Sequence, residues 1–196
     1  MRLTAVANAG SRTFQWCEEL SLPKKLALAV VFAALLALAA QIRLPVPWSP
    51  VPVTGQTFVV LLAGVLLGRS WGGFSVGLYV GAGVLGAPVF AGMAGGLAYL
   101  AGPTGGYLVG FVLAAMFVGY AVRRFTWLRG IIGLAALMLF ADFVILFGPG
   151  LLYLGYLTGA TLSEVLWMGL IPFIVGDVTK VLAAAAIASV LLPRES

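Results

Sequence analysis

Three ionisable side chains lie within long apolar stretches of the sequence: Asp142 in one stretch, and Asp177 and Lys180 in another. Placing a charge inside a bilayer costs a few kcal/mol or more, so each is a candidate functional residue. Asp177 and Lys180 are three positions apart, which on a helix puts them on one face, with Lys180 about 4.5 Å farther along. The pair offers a ligand an acceptor beside a donor, and a purely structural ion pair is the alternative.

Asp142 has three roles open to it. It lines a pocket, it neutralises Lys180, or it hydrogen-bonds neighbouring backbone while protonated. Counted from the ends of their stretches, Asp142 and Asp177 are expected at similar depths in the outer half of a helical bundle. This is the half in which an importer takes its ligand.

Two connecting segments contain residue types that suit a lid or a pocket wall. The first, Arg43 to Gln56, holds four prolines and is expected to be extended and stiff. The second, Ala87 to Tyr107, interleaves six glycines with large apolar side chains. An ordinary turn-rich connector is the alternative. The candidate ligand-binding residues of the two segments are Arg43, Gln56, Phe90, Met93, Tyr99 and Tyr107.

The elements that must position these residues are membrane helices. The chain of 196 residues is 62% hydrophobic and only 9% charged, against about 25% charged in a soluble domain. Its apolar stretches predict an all-α membrane protein, a bundle of six transmembrane helices with external lid loops. These stretches are Leu26 to Ile42, Val51 to Leu67, Gly72 to Ala91, Thr104 to Val122, Gly130 to Phe147 and Val165 to Leu192.

The second stretch is the weakest of the six predictions. Thr54, Gln56 and Thr57 make its beginning polar, so it is expected to start as non-helical backbone lining a cavity. A bilayer tolerates such backbone only where lipid is excluded.

Basic residues orient the predicted bundle. All but two of the eleven Lys and Arg residues fall on one side of it, the exceptions being Arg43 and the intramembrane Lys180. The positive-inside rule then places both termini in the cytoplasm of a multi-pass protein of the cell membrane. Residues 1–25 are predicted to form a cytoplasmic segment and residues 26–196 the transmembrane binding domain. A signal peptide in place of the first helix is disfavoured, because a long polar region precedes it.

Other sequence features limit the classes of function. The chain has no histidine and one cysteine, it lacks a G-x-x-x-x-G-K-[ST] phosphate loop, and its basic residues are scattered. We therefore expect no enzyme, no metal or cofactor, no nucleic-acid partner, and no ATP hydrolysis through a phosphate loop. A membrane enzyme acting on lipid substrates is the competing class, but it commonly needs more acidic ligands or a histidine.

Small residues recur every four positions on the first predicted helix, at Ala29, Ala33 and Ala37. Such a stripe permits close helix contact. It suits packing inside the bundle and docking of a partner subunit about equally well.

Three segments of the sequence resemble the BioY family, the biotin-binding S-components of energy-coupling factor (ECF) transporters. They are LPVPWSPVPVTGQTF, PVFAGMAGGLAYLAGPTGGYLVGF and GLIPFIVGDVTK, beginning at Leu44, Pro88 and Gly169. The resemblance implies a six-helix subunit that holds biotin beneath external loops and associates with a transmembrane coupling protein and a pair of ABC-type ATPases. It matches Asp177 and Lys180 to the family's D-x-x-K biotin motif and the alanine stripe to the docking surface.

The resemblance leaves the roles of the two charged residues open. Lys180 pairs with the biotin carboxylate, or both residues grip the ureido ring. We favour the second arrangement, because their head groups lie only several ångströms apart. The biotin carboxylate is then expected at backbone N–H groups of the second connecting segment, Ala87 to Tyr107 (the glycine-rich loop), or at Arg43. An S-component for a different small vitamin-like ligand is the remaining alternative.

Overall fold

The computed structural model describes residues 20–192, and these residues form a helical bundle with one short hairpin. The predicted cytoplasmic segment therefore lies mostly outside the described residues. Pro23 is in the first turn of the first helix, which begins at Leu22 rather than at the predicted Leu26. The helices are α1 (Leu22–Gln41), α2 (Gln56–Val84), α3 (Leu97–Leu100), α4 (Gly105–Arg124), α5 (Ile131–Phe140), α6 (Phe147–Thr158), α7 (Leu162–Gly169) and α8 (Ile174–Leu191).

Five helical segments of the described part are long and apolar enough to cross a membrane. They are Leu22–Gln41, Gln56–Val84, Gly105–Arg124, Ile131–Thr158 and Leu162–Leu191. The sequence predicted six, and the difference arises at α2, which contains both the second and the third predicted helix. The chain is thus an all-helical membrane protein.

A sharp bend at Gly68 divides α2 into two arms. Gly68 has φ 79° and ψ −176°, a conformation open essentially only to glycine. A Cβ atom on Gly72 would lie 2.8 Å from the carbonyl oxygen of Ala63. Residues nine apart in a straight helix are about 13.5 Å apart. The arm after Gly68 therefore turns back along the arm before it.

The segment before α2 is non-helical, as its polar composition indicated. Arg43–Leu44 (β1) and Val53–Thr54 (β2) form a two-stranded antiparallel hairpin, in which Arg43 pairs with Thr54. The amide of Gly55 then donates to the carbonyls of Ala39 and Ile42 at the end of α1. These bonds attach the proline-containing loop to the C-terminal end of α1.

The two C-terminal spans differ from the predicted stretches. The span that begins at Ile131 extends past its predicted end, Phe147, to Thr158. It includes a π-helical segment, Ala141–Leu146, between α5 and α6. Asp142 is consequently farther from the C-terminal end of its span than expected. The last span is broken between α7 and α8 by a 3-10 turn at Ile171–Phe173 that contains Pro172. Proline lacks the N–H that a continuous helix requires there, so Asp177 lies in the first turn of α8.

The alanine stripe of α1 faces the bundle. Ala29 is fully buried, and the hydroxyl of Ser75 donates to its carbonyl oxygen at 2.9 Å. Ala33 and Ala37 are partly buried and pack against the core cluster that contains Leu36 and Val60. Ala29 is therefore packed inside the bundle in this structure, and docking of a partner subunit at the stripe stays a prediction.

Candidate ligand-binding site

A cavity lies where the ends of α2, α4 and α8 meet the loop that follows β1. The space between its lining atoms, open mouth included, is about 500 Å³. The lining residues are Val51, Pro52, Thr54, Gln56, Thr57, Tyr79, Ala91, Tyr99, Thr104, Tyr107, Leu108, Phe111, Leu146, Phe147, Phe173, Asp177 and Lys180. Of the predicted site residues, Gln56, Tyr99, Tyr107, Asp177 and Lys180 are brought together there.

Asp177 and Lys180 form an ion pair at the wall of the cavity. The Asp177 side chain is only 1% exposed and that of Lys180 is 18% exposed. The Lys180 ammonium also donates a hydrogen bond of 2.8 Å to the carbonyl of Thr54. Apart from Lys180 and the neighbouring Thr57 hydroxyl, the oxygens of Asp177 have no other hydrogen-bond partner within residues 20–192. The carboxylate therefore retains acceptor capacity that N–H donors of a ligand can use.

A chain of polar side chains crosses the cavity wall next to this pair. The Thr54 hydroxyl donates to Gln56 Oε1 at 3.0 Å, and Gln56 Nε2 donates to the Tyr79 hydroxyl oxygen at 2.7 Å. Gln56 and Tyr79 are buried, so these bonds fix the orientation of the Gln56 amide. The hydroxyl hydrogen of Tyr79 is left for a further acceptor.

Aromatic rings form the apolar part of the cavity. Tyr107 meets Phe147 edge to face, with ring centroids 5.6 Å apart, and lies roughly parallel to Phe173 at 6.3 Å. The Tyr107 hydroxyl donates at 3.0 Å to the carbonyl of Gly169, next to the break between α7 and α8. This bond holds the Tyr107 ring in place, which gives the cavity a rigid wall for an apolar ring system.

The glycine-rich loop contributes Tyr99 to the lining of the cavity. Its ring stacks on the fully buried Phe90, with centroids 4.7 Å apart. Burial raises the pKa of Tyr99 above its ordinary value, so the hydroxyl stays neutral near pH 7. Gln41, at the end of α1, donates to the carbonyl of Phe90 and accepts from the amide of Met93 at 3.0 Å. The loop is thus attached to α1 by a side chain.

Four predicted site residues do not line the cavity. Phe90 supports Tyr99 from behind, and the Met93 side chain is 63% exposed to the surroundings. Arg43 is exposed, with its guanidinium against Gly92 of the glycine-rich loop. Asp142 is 0% exposed and lies behind the cavity, near enough to Asp177 and Lys180 to interact with both electrostatically.

Several lining residues were missed in the sequence. Tyr79 was detectable as the only tyrosine in an apolar, glycine-rich stretch, and Thr57 belongs to the polar start of the second stretch, which was expected to line a cavity. Phe111, Phe147 and Phe173 carry no comparable signal. Phenylalanines on a membrane helix face lipid or protein equally well, so their position depends on the packing.

Comparison with solved structures assigns the class of fold. The chain matches a crystal structure described as the S-component for biotin from an ECF-type ABC transporter, with a TM-score of 0.79 and 25% sequence identity. The match covers 85% of this chain and 89% of the other. The fold is that of an S-component, a membrane-embedded subunit of a transporter.

Sequence comparison then identifies the family. The BioY family profile matches residues 11–195, and the chain belongs to the BioY family. The "Probable biotin transporter BioY" of Methanothermobacter thermautotrophicus is 45% identical, over 68% of this chain and 89% of that protein. The protein of the same description from Pyrococcus horikoshii is 37% identical, over 84% and 94%. The "Biotin transporter BioY" of Thermotoga maritima is 36% identical over the same shares.

Proposed function

We propose that this protein is the S-component of an ECF-type vitamin importer and that it captures biotin in the cavity bounded by Asp177, Lys180 and Tyr107. The observation that carries the proposal is the ion pair of Asp177 and Lys180 on the wall of a cavity that also presents several aromatic rings. Membership of a transporter family, whose relatives are named biotin transporters, supports the choice of ligand.

Biotin has three chemically distinct parts, and the cavity has a matching surface for two of them. The ureido group has N–H donors and a carbonyl acceptor, which suit the carboxylate of Asp177 and the ammonium of Lys180. The thioether bicycle is apolar and suits the wall formed by Tyr107, Phe147 and Phe173.

The third part, the carboxylate at the end of an aliphatic chain, belongs near the mouth. Arg43 and the glycine-rich loop lie together at the external side, and the guanidinium contacts Gly92. We assign the carboxylate to the backbone N–H groups of this loop or to Arg43. No metal or other cofactor is needed for this mode of binding.

The proposed topology has six transmembrane passes and both termini in the cytoplasm of a cell-membrane protein. By length and composition α2 is one span. Because the bend at Gly68 divides it into two arms, the proposed topology counts α2 as two passes. Arg69, next to the bend, and Arg123, Arg124 and Arg129 then lie on the cytoplasmic side. The loops before α2 and α4 face outward and act as a lid, to which Gln41 and Tyr99 contribute.

The proposed partners are a transmembrane coupling protein and the paired ABC-type ATPases of an ECF module. The chain has no phosphate loop of its own, so hydrolysis by that route falls to separate subunits. Ala33 and Ala37 stay candidates for the docking surface together with the exposed side of α1. That side includes Val30, Leu38 and Ile42, each more than half exposed.

Isothermal titration of the purified full chain in detergent tests the proposal. Biotin is expected to bind in a saturable way, and thiamine and riboflavin are expected not to bind. Asp177→Asn serves as the site-directed control and should weaken biotin binding. If the protein prefers another vitamin to biotin, that vitamin is its ligand. If the protein converts a lipid substrate, it is an enzyme rather than a transporter subunit.

A further inference from the structure

Asp142 is a buried carboxyl group that the binding mode described above does not use. It is 0% exposed, and among residues 20–192 no donor is placed to hydrogen-bond either of its oxygens. Its backbone belongs to the π-helical segment Ala141–Leu146. Such segments are rare and are frequent at functional sites.

The charges around Asp142 do not balance. Asp142, Asp177 and Lys180 form one electrostatically linked group with two carboxyl groups and a single ammonium. Lys180 is in contact with Asp177, so Asp142 is the member without a counter-ion in contact. An ionised carboxylate in this position is strongly disfavoured by desolvation.

The other titratable side chains around the π segment are remote or already engaged. The segment packs against α4, α5 and α6, and α5 contains no titratable residue. On α4, Tyr107 is bonded to Gly169, and Arg123 and Arg124 lie in the last turn. Tyr120, also on α4, lies under the Arg69 guanidinium. On α6, the Tyr153 hydroxyl donates to the carbonyl of Ala101, and Tyr156 is exposed.

We propose that Asp142 is a positioning residue that carries a proton while Lys180 pairs with Asp177, and that it releases this proton to become the counter-ion of Lys180 when a ligand separates the pair. The O–H bond of Asp142 breaks, its electron pair stays on the carboxylate, and the proton passes to solvent. The inference rests on the proposed function, because it requires a ligand ring that inserts between Asp177 and Lys180.

Insertion of a neutral ring provides the driving force for this exchange. The ring accepts from Lys180 and donates to Asp177, but it moves the two charges apart and weakens their attraction. A second carboxylate behind the cavity then compensates the ammonium. Because binding expels a proton, affinity is expected to rise with pH, by at most about tenfold per pH unit.

Proton release is measurable by titrating biotin into the full chain at neutral pH in two buffers with different ionisation enthalpies. The difference in apparent binding enthalpy gives the number of protons released. The wild type is expected to release up to about one proton per biotin. Asp142→Asn is nearly isosteric with the protonated residue and is expected to release none, with an affinity that no longer varies with pH.

Glu164→Gln is the matched control, because Glu164 is an exposed carboxylate outside the cavity. It should release protons as the wild type does. Equal enthalpies for the wild type in both buffers would overturn the inference, as would undiminished proton release by Asp142→Asn. Failure of biotin to bind the wild type at all would instead overturn the proposed function, so the two failures are distinguishable.

Discussion

Lys180 on the last helix donates a 2.8 Å hydrogen bond to the backbone carbonyl of Thr54, which lies in β2, just before the second span. The same ammonium is paired with Asp177. One side chain therefore joins the loop before α2 to the charged pair on α8. Any ligand that engages Lys180 also acts on this loop, which connects ligand capture with the position of the cavity wall.

The first prediction concerns the assignment of the charged pair. Asp177→Asn is expected to cost on the order of 2 to 3 kcal/mol of biotin binding free energy, because a charge-assisted hydrogen bond is replaced and Lys180 loses its counter-charge. Biotin amide, which lacks the ligand's carboxylate, should lose much less. Titration calorimetry of both ligands against wild type and Lys180→Met makes the comparison. The assignment is wrong if amidation abolishes binding to the wild type and has no further effect in Lys180→Met.

The second prediction concerns orientation in the membrane. In a Cys17→Ser background, Trp48→Cys should react with an impermeant maleimide in intact cells, and Trp127→Cys should react only after permeabilisation. The two tryptophans are both well exposed, at 60% and 76%, and the proposed topology places them on opposite sides of the membrane. The reverse pattern of labelling would invert the proposed topology.

The third prediction concerns the bend of α2. Gly68→Ala is expected to destabilise the protein by about 1 to 3 kcal/mol, since a Cβ atom is strained at this φ and ψ. It would also meet the guanidinium of Arg123. The midpoint of thermal unfolding in detergent measures the effect.

Gly77→Ala is the matched control on the same helix. A Cβ atom at Gly77 has no neighbour within 4 Å, and alanine has the higher helix propensity. Its unfolding midpoint should stay the same or rise. Equal losses at both positions would mean that the bend does not depend on glycine at position 68.

The fourth prediction concerns the lid. Gln41→Leu removes the side-chain hydrogen bonds to Phe90 and Met93, each contributing on the order of 1 kcal/mol. Dissociation of radiolabelled biotin should be faster, because the loop that carries Tyr99 opens more readily. Thr179→Val is the control, since its hydroxyl bonds only to Val175 within α8. If the dissociation rate is unchanged in Gln41→Leu, the attachment of the loop to α1 does not control the release of biotin.

Features that depend on local spacing could be predicted from the sequence. Uniformly apolar stretches bounded by Lys and Arg predicted membrane helices, because the bilayer requires such lengths of apolar chain. The three-residue separation of Asp177 and Lys180 predicted that their side chains lie together, because residues i and i+3 share a helix face. The polar start of the second stretch likewise indicated backbone that lines a cavity, and Thr54 lies there.

Which residues from different helices meet depends on the tertiary packing. Both faces of a membrane helix are apolar, so no hydrophobic periodicity shows that Phe147 and Phe173 face the cavity while other phenylalanines face outward. The bend at Gly68 could not be distinguished from a loop between two helices, because both follow an apolar stretch containing glycine. The approach of Asp142 to Lys180 depends on how two spans pack, and the burial of Ala29 depends on the arm of α2 that covers it.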